Sequence, residues 1–442
     1  MDDIVVYRID ENDVHCEVQE EDYDPYLKRD SKVQITNFQA LFLLIQGFIG
    51  TSVLYAVFVY KEGWLTATIY IILIAILCNH CLHILLNAKY RLCKLLKVPN
   101  LSYGESMERA LETGPPILRI FSRISNCTVD TCLILCQLAL CCNYSSIIIV
   151  LVPTTAEKFL QEWFNTSFTL LFFISLIPLL LAPFMKNLRI LANFCILGAI
   201  FLFGALIFFN WYVLEDFPSF DGLEITEPNV ANLPYFLSPI VLSLQAVNVV
   251  SFMEGDLRSP IKFKQFWGTL NFGVLIIVIF QCSIGILAYF KFGQMADGLY
   301  FAISNESDQR LRVCILLYGL ALYVSYGVQG YIFVELLWRK TERRRSRTKF
   351  FLRILLFVLS FSFMVVKSSQ ISPIAEYIIR IVLVVTVTLL GIIFPVILDI
   401  CVKWPHDFRR AKYFICVNFM LIIAGIIIIS SILGINEISI NK

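Results

Sequence analysis

Residues 238–260 read SPIVLSLQAVNVVSFMEGDLRSP. The stretch is apolar enough to enter a bilayer, yet it sets Ser243, Gln245, Asn248 and Ser251 at its middle, where polar groups cost free energy unless they find partners or line a wet cavity. Gln245, Asn248, Ser251 and Glu254 step by three along one helical flank. A second stretch, LFLLIQGFIGTSVLYAVFVY at 41–60, carries Gly47, Gly50, Thr51 and Ser52 at its centre, a run that weakens a helix where lipid penalises a broken backbone. Small residues also have a plainer use, which is to let a neighbouring helix approach closely. Interruptions in the first helix of each of two five-helix halves point to a carrier whose ligand sits where both helices unwind.

The rest of the chain supplies those helices. It has 442 residues, of which 58% are hydrophobic and 16% charged, and it includes 37 phenylalanines. That is more apolar than a soluble core of this size needs, so the expected fold is an all-α polytopic membrane protein. Apolar stretches long enough to span lie at about 37–60, 65–88, 125–151, 168–185, 190–212, 235–255, 268–291, 311–338, 350–368, 374–401 and 413–434, which makes eleven expected helices. With the N-terminus placed in the cytosol, 28 of the 36 lysines and arginines fall on the inner side, and RKTERRRSRTK at 339–349 fixes that orientation independently. Between two spans this run is a topology signal and not a nucleic-acid patch.

Residues 1–34 read as an acidic, disordered cytosolic tail without the apolar core of a signal peptide, and 35–442 as the membrane domain. The same orientation puts 214–228, with five acids and no base, on the outside, together with the sequons at Asn165 and Asn305. The fourteen cysteines show no secreted-type spacing and read as free thiols.

At an interrupted helix the bare N–H groups carry partial positive charge and can hold a carboxylate. The candidate substrate-binding set is therefore Gly47, Gly50, Thr51 and Ser52 in the first span, with Ser243, Gln245, Ala246 and Asn248 in the sixth. Phe48 reads as packing. His80 and His83 share a helical face, but two packed polar residues explain them better than a metal site, and no cofactor is expected. Glu254, Glu335 and Asp399 stand near inner ends of spans and read as carboxylates paired with Lys or Arg. No nucleophile and base lie together in the spans, which argues against an enzyme, and no filter motif argues for a channel.

Nine pieces in order carry a resemblance: GFIGTS (47–52), NHCLHILL (79–86), SYGE (102–105), CQLALCCNY (136–144), MKNLRILANF (185–194), GDLRSPIKF (255–263), AYFKFG (288–293), SYGVQGY (325–331) and FPVILD (394–399). Over about 37–434 the chain resembles the amino acid/auxin permease family, and within it the proton-coupled amino acid transporter branch. The resemblance implies a LeuT/APC-like inverted repeat of five plus five helices with helices 1 and 6 broken, and a small amino acid moved together with a proton. Where the branch writes H-x-x-K-G-N-I-G-T-G, this chain has Leu43, Gln46, Gly47, Phe48, Ile49, Gly50, Thr51 and Ser52. In the sixth span a carboxylate becomes Gln245 and both glycines are lost, leaving Leu244-Gln245-Ala246-Val247-Asn248. Neither Leu43 nor Gln245 titrates, so the proton is implied by the resemblance while its usual carriers are missing. A smaller, amide-rich pocket is expected. The reading is a transporter of small neutral amino acids in the plasma membrane or an endolysosomal membrane. The alternative is a transport-impaired amino acid sensor of the same fold, its tail and basic loop contacting cytosolic partners.

Overall fold

The computed structural model describes residues 23–29, 34–49, 59–60, 63–160, 168–181, 184, 187–215, 239–244, 246–292, 308–340, 346–367, 372–404 and 417–429. The main helices are α1 (Asn37–Ile49), α2 (Trp64–Leu96), α3 (Tyr103–Thr113), α4 (Ser122–Leu160), α5 (Phe168–Leu181), α6 (Leu188–Glu215), α7 (Val247–Met253), α8 (Thr269–Phe292), α9 (Gln309–Lys340), α10 (Ser346–Lys367), α11 (Ser372–Thr388) and α12 (Phe394–Lys403), followed by α13 (Val417–Ile429). The one extended pairing among the described residues is an isolated parallel bridge between Ile35 and Leu257. Among the described residues six stretches are long and apolar enough to cross a membrane: α2, α4, α6, α8, α9 and the rod running from Tyr377 to Lys403. The chain is an all-helical, multi-pass membrane protein.

Helices α2 and α4 run well past the expected 65–88 and 125–151. The tail of α2, NAKYRLCKLL, is too basic to count as apolar but is rich in good helix formers, so the helix continues beyond the lipid. It ends in a left-handed Lys97 (φ 53°), and the Val98 N–H returns to the Cys93 carbonyl at 3.1 Å, a Schellman closure with Pro99 next in sequence. At 39 residues α4 is about 58 Å long, nearly twice the ~30 Å of a hydrocarbon layer. The broadest packing joins α9 to α4 and α6, so the long unbroken rods form the scaffold against which the short pieces lie.

The SYGE motif shows how one loop-to-helix junction is fixed. Ser102 Oγ accepts from the Glu105 N–H at 3.2 Å and the Glu105 carboxylate accepts from the Ser102 N–H at 2.8 Å, a capping box that starts α3. Gly104 lies so close to Asn126 and Asp130 of α4 that a side chain would collide with both. The remaining residue, Tyr103, reaches α11 and α12, as described below.

Candidate functional site

The sixth span is broken. Residues 239–243 are helical, Leu244 is a turn, Ala246 leaves the helix at φ −130° and ψ 11°, and α7 restarts at Val247. Ser243 contributes locally, since its hydroxyl bonds the Ile240 carbonyl at 2.7 Å and competes with helix continuation. The break strips the Ser243 carbonyl of its helical donor, and Gln281 of α8 replaces it by donating from Nε2 at 3.1 Å. Gln281 is fully buried, and its Oε1 has no partner among the described residues.

A second irregularity lies opposite. Between α11 and α12, Leu389–Ile393 form a single π-helical turn. Pro395 follows closely; it has no N–H to return and its ring crowds the Gly391 carbonyl, so the preceding turn widens. Tyr103 donates its hydroxyl to the Leu390 carbonyl at 2.8 Å. Two distorted backbones thus face each other, each satisfied by a side chain from another helix.

The expected site residues divide as follows. Gly50, Thr51, Ser52 and Gln245 lie outside the described residues, as do Asn165 and Asn305. Gly47 sits inside regular helix α1 against Val249 of α7, where an added Cβ would meet Val249 Cγ2 at 2.7 Å, so this glycine serves close packing of the first and sixth spans. Phe48 is buried in the protein core. Ser243 is turned into its own helix, Ala246 forms the break, and Asn248 donates to Cys136 Sγ of α4 at 3.1 Å while its Oδ1 has no partner among the described residues. Of the members of the set among the described residues, Ala246 lines the small cavity at the break, together with Leu82, Leu244, Val247, Gly391 and Ile392. The described lining is apolar: Asn248 turns away to α4 and Ser243 bonds its own helix, while Gln245, which the expected amide-rich pocket also included, lies outside the described residues.

Sequence reasoning passed over several interior residues. Gln46, one turn before the end of α1, accepts from Ser325 Oγ of α9 on both its side-chain and its backbone oxygen, at 2.7 and 3.1 Å. Its Nε2 lies against Gly198 of α6 without a hydrogen-bond partner among the described residues. Gln137 of α4, beside Cys136, is fully buried with neither polar atom partnered among the described residues. The available signal was plain: Gln46, Gln137 and Gln281 are amides set in apolar runs.

One end of the bundle is held by charge. Glu254, at the foot of α7, accepts from Lys89 Nζ of α2 and from Arg29 Nη2, both at 2.6 Å, and all three side chains are buried. Arg29 also donates to the Glu254 and Pro99 carbonyls at 2.8 and 3.1 Å and lies 4.6 Å over the Tyr26 ring, which in turn packs on Tyr90. Residues 23–29 of the acidic tail are therefore docked on the helix ends. Burial pushes the Asp256 carboxyl above its ordinary range against the pull of Arg339 and Arg29, and it also pushes the Tyr26 phenol up. Glu335 pairs with Lys349 and Asp399 with Lys403, each at 2.8 Å, so all three end-of-span carboxylates have the basic partners expected of them. His83 shares Asn271 Oδ1 with Asn79, at 2.7 and 2.8 Å, which is the packed polar role.

A model of the family described as transmembrane amino acid transporter protein matches residues 33–436. The chain belongs to that family. This transmembrane amino acid transporter family member is 25% identical over 434 residues to the "Proton-coupled amino acid transporter-like protein pathetic" of Drosophila melanogaster, covering 96% of this chain and 89% of that one. In fold it is similar to the manganese transporter of Eremococcus coleocola, in crystal structures of two mutant forms. Each has a TM-score of 0.52 and 12% identity, and each match covers 93% of this chain and 99% of the other. Its family consists of transporters, not enzymes, and amino acids and a lipid bilayer are what the family works with.

Proposed function

We propose that this family member carries small amino acids of zero net charge by alternating access. In this reading eleven passages form an inverted repeat of five plus five, and the end that holds Arg29 faces the cytosol. The observation that carries the proposal is the chemistry of the buried interior. Among the described residues the buried polar side chains of the helical interior include amides, hydroxyls and thiols, and several amides keep a donor or acceptor without a protein partner there: Gln46 Nε2, Asn248 Oδ1, Gln281 Oε1 and both polar atoms of Gln137, with Asn248 on the broken span and Gln281 bonded to it. The buried charged side chains among the described residues include Arg29, Lys89, Glu254 and Asp399, and each of these is paired at the Arg29 end.

A zwitterion needs donors for its carboxylate and acceptors for its ammonium in equal measure, and amides offer both. A cationic or anionic side chain would bring an extra charge with nothing to balance it, at a cost of several kcal/mol or more. Coupling through a side chain at the site would call for a carboxylate or imidazole, and the positions where the resemblance puts them hold Leu43 and Gln245. We therefore assign no proton to the site itself, although the name of the Drosophila relative refers to proton coupling.

The test is uptake of labelled glycine, alanine, leucine, lysine and glutamate into proteoliposomes, with and without an imposed pH gradient. Saturable uptake of the first two, insensitive to the gradient, is expected. Absence of saturable uptake of any neutral amino acid would overturn the reading, and preference for lysine or glutamate would overturn the charge argument.

A further inference from the structure

We infer that the apolar cavity between the sixth-span break and the π-turn is the seat of the substrate's side chain, and that Gly391 sets the largest side chain admitted. The inference rests on the carrier reading above and adds to it a size limit and the residue that imposes it. The cavity is bounded on one side by Leu244, Ala246 and Val247, which flank the break, and on the other by Gly391 and Ile392 of the π-turn, with Leu82 of α2 closing the floor. Its space is about that of one water molecule, yet its lining is aliphatic apart from the Cys78 thiol, so a water there would lack the two to four polar partners it requires. A methyl or ethyl group suits such a place.

Position identifies the occupant. Leu244 and Ala246 belong to the unwound backbone, so a ligand whose charged end engages the peptide groups there directs its remaining atoms into the adjoining hollow. Among the described residues the lining carries no charge and no amide, which favours an aliphatic side chain over one that needs a hydrogen bond. Gly391 faces Val247 across the cavity, and a Cβ added to it would meet only Val247 Cγ1, at 3.9 Å, an ordinary contact. An alanine there fills the space without straining the fold. Leu82 offers the opposite change, since shortening it enlarges the same space.

The experiment measures apparent affinities for glycine, alanine, valine and leucine in proteoliposomes, by competition against labelled uptake, and in parallel by ligand-dependent thermal stabilisation of the full-length protein in detergent. Wild type is compared with Gly391→Ala and Leu82→Ala. One methyl in a tight apolar pocket is worth about tenfold in discrimination. The alanine-to-glycine affinity ratio should therefore fall about tenfold in Gly391→Ala, and the valine- and leucine-to-alanine ratios should rise about tenfold in Leu82→Ala. If both variants keep the wild-type ratios within about twofold while wild type still takes up neutral amino acids, the side chain lies elsewhere and the carrier reading survives. If wild type neither binds nor takes up any neutral amino acid, the subsite falls together with that reading. Should Gly391→Ala fail to fold, Leu82→Ala decides alone, because only a side-chain seat links its volume to substrate size.

Discussion

Gly47 illustrates how one position supports two readings until a neighbour is known. In sequence it belongs with Gly50, Thr51 and Ser52 as part of a weak stretch, and nothing local separates a ligand contact from a helix contact. The neighbour is Val249, a stiff β-branched side chain with little freedom to withdraw. Gly47→Ala should lower stability by about 1–3 kcal/mol through overpacking, and Val249→Ala in the same chain should recover most of the loss. Thermal unfolding of the purified single and double variants in detergent measures both. A Gly47→Ala protein as stable as wild type would remove the close contact from the account. The SYGE landmark was equally opaque as a string: the serine and glutamate form a local capping box, which its spacing can disclose, whereas Tyr103 and Gly104 act on partners in α4 and the π-turn that no spacing reveals.

Among the elements, the sixth-span break was legible because a cluster of polar residues inside an apolar run is costly unless the backbone opens or a partner arrives, and here both happen. The π-turn left a weaker trace, Pro395 within a long apolar rod, and its consequence for Gly391 appears only once the helix is built. Helices α2 and α4 outrun their expected apolar stretches because hydropathy marks where lipid stops, not where the hydrogen-bond ladder stops. Both irregular backbones depend on a borrowed donor. Gln281→Leu leaves the Ser243 carbonyl buried and unpaired, and Tyr103→Phe does the same to the Leu390 carbonyl; each should cost about 1–3 kcal/mol of stability. Gln281→Leu should also reduce uptake, because the opened backbone next to the cavity loses its brace. Melting temperatures and initial uptake rates check the pair, and full activity in Gln281→Leu would show the break to be self-supporting.

For the molecule as a whole, the closure of one end is the feature that sequence placed best and specified least. That Glu254, Glu335 and Asp399 would be paired follows from the expense of carboxylates near lipid; that Glu254 would take a lysine from α2 and an arginine from the tail required the fold. The interior was harder, since lone glutamines in α1, α4 and α8 are unremarkable in sequence, and only the fold shows Gln281 bonded to the broken span. Glu254→Gln leaves Lys89 charged and buried, and should destabilise by about 3–5 kcal/mol, whereas the double change Glu254→Gln with Lys89→Met should be the more stable of the two. Unfolding midpoints of both variants provide the comparison, and equal midpoints would mean that water reaches the triad.

The bridge at Ile35 bears on how freely the chain's beginning can change. The Ile35 N–H is given to the Asp256 carbonyl at 2.9 Å, and the Ile35 carbonyl receives the Arg258 N–H at 3.0 Å. Both links are written in peptide groups, so the polar letters around position 35 are free to drift without loosening the fastening. Only an imino acid at 35 or 258 deletes a donor outright. The tether between the leading segment and the foot of the sixth span thereby tolerates change at the exposed polar positions beside it, but not proline at 35 or 258 or the loss of the buried Ile35 and Leu257 side chains.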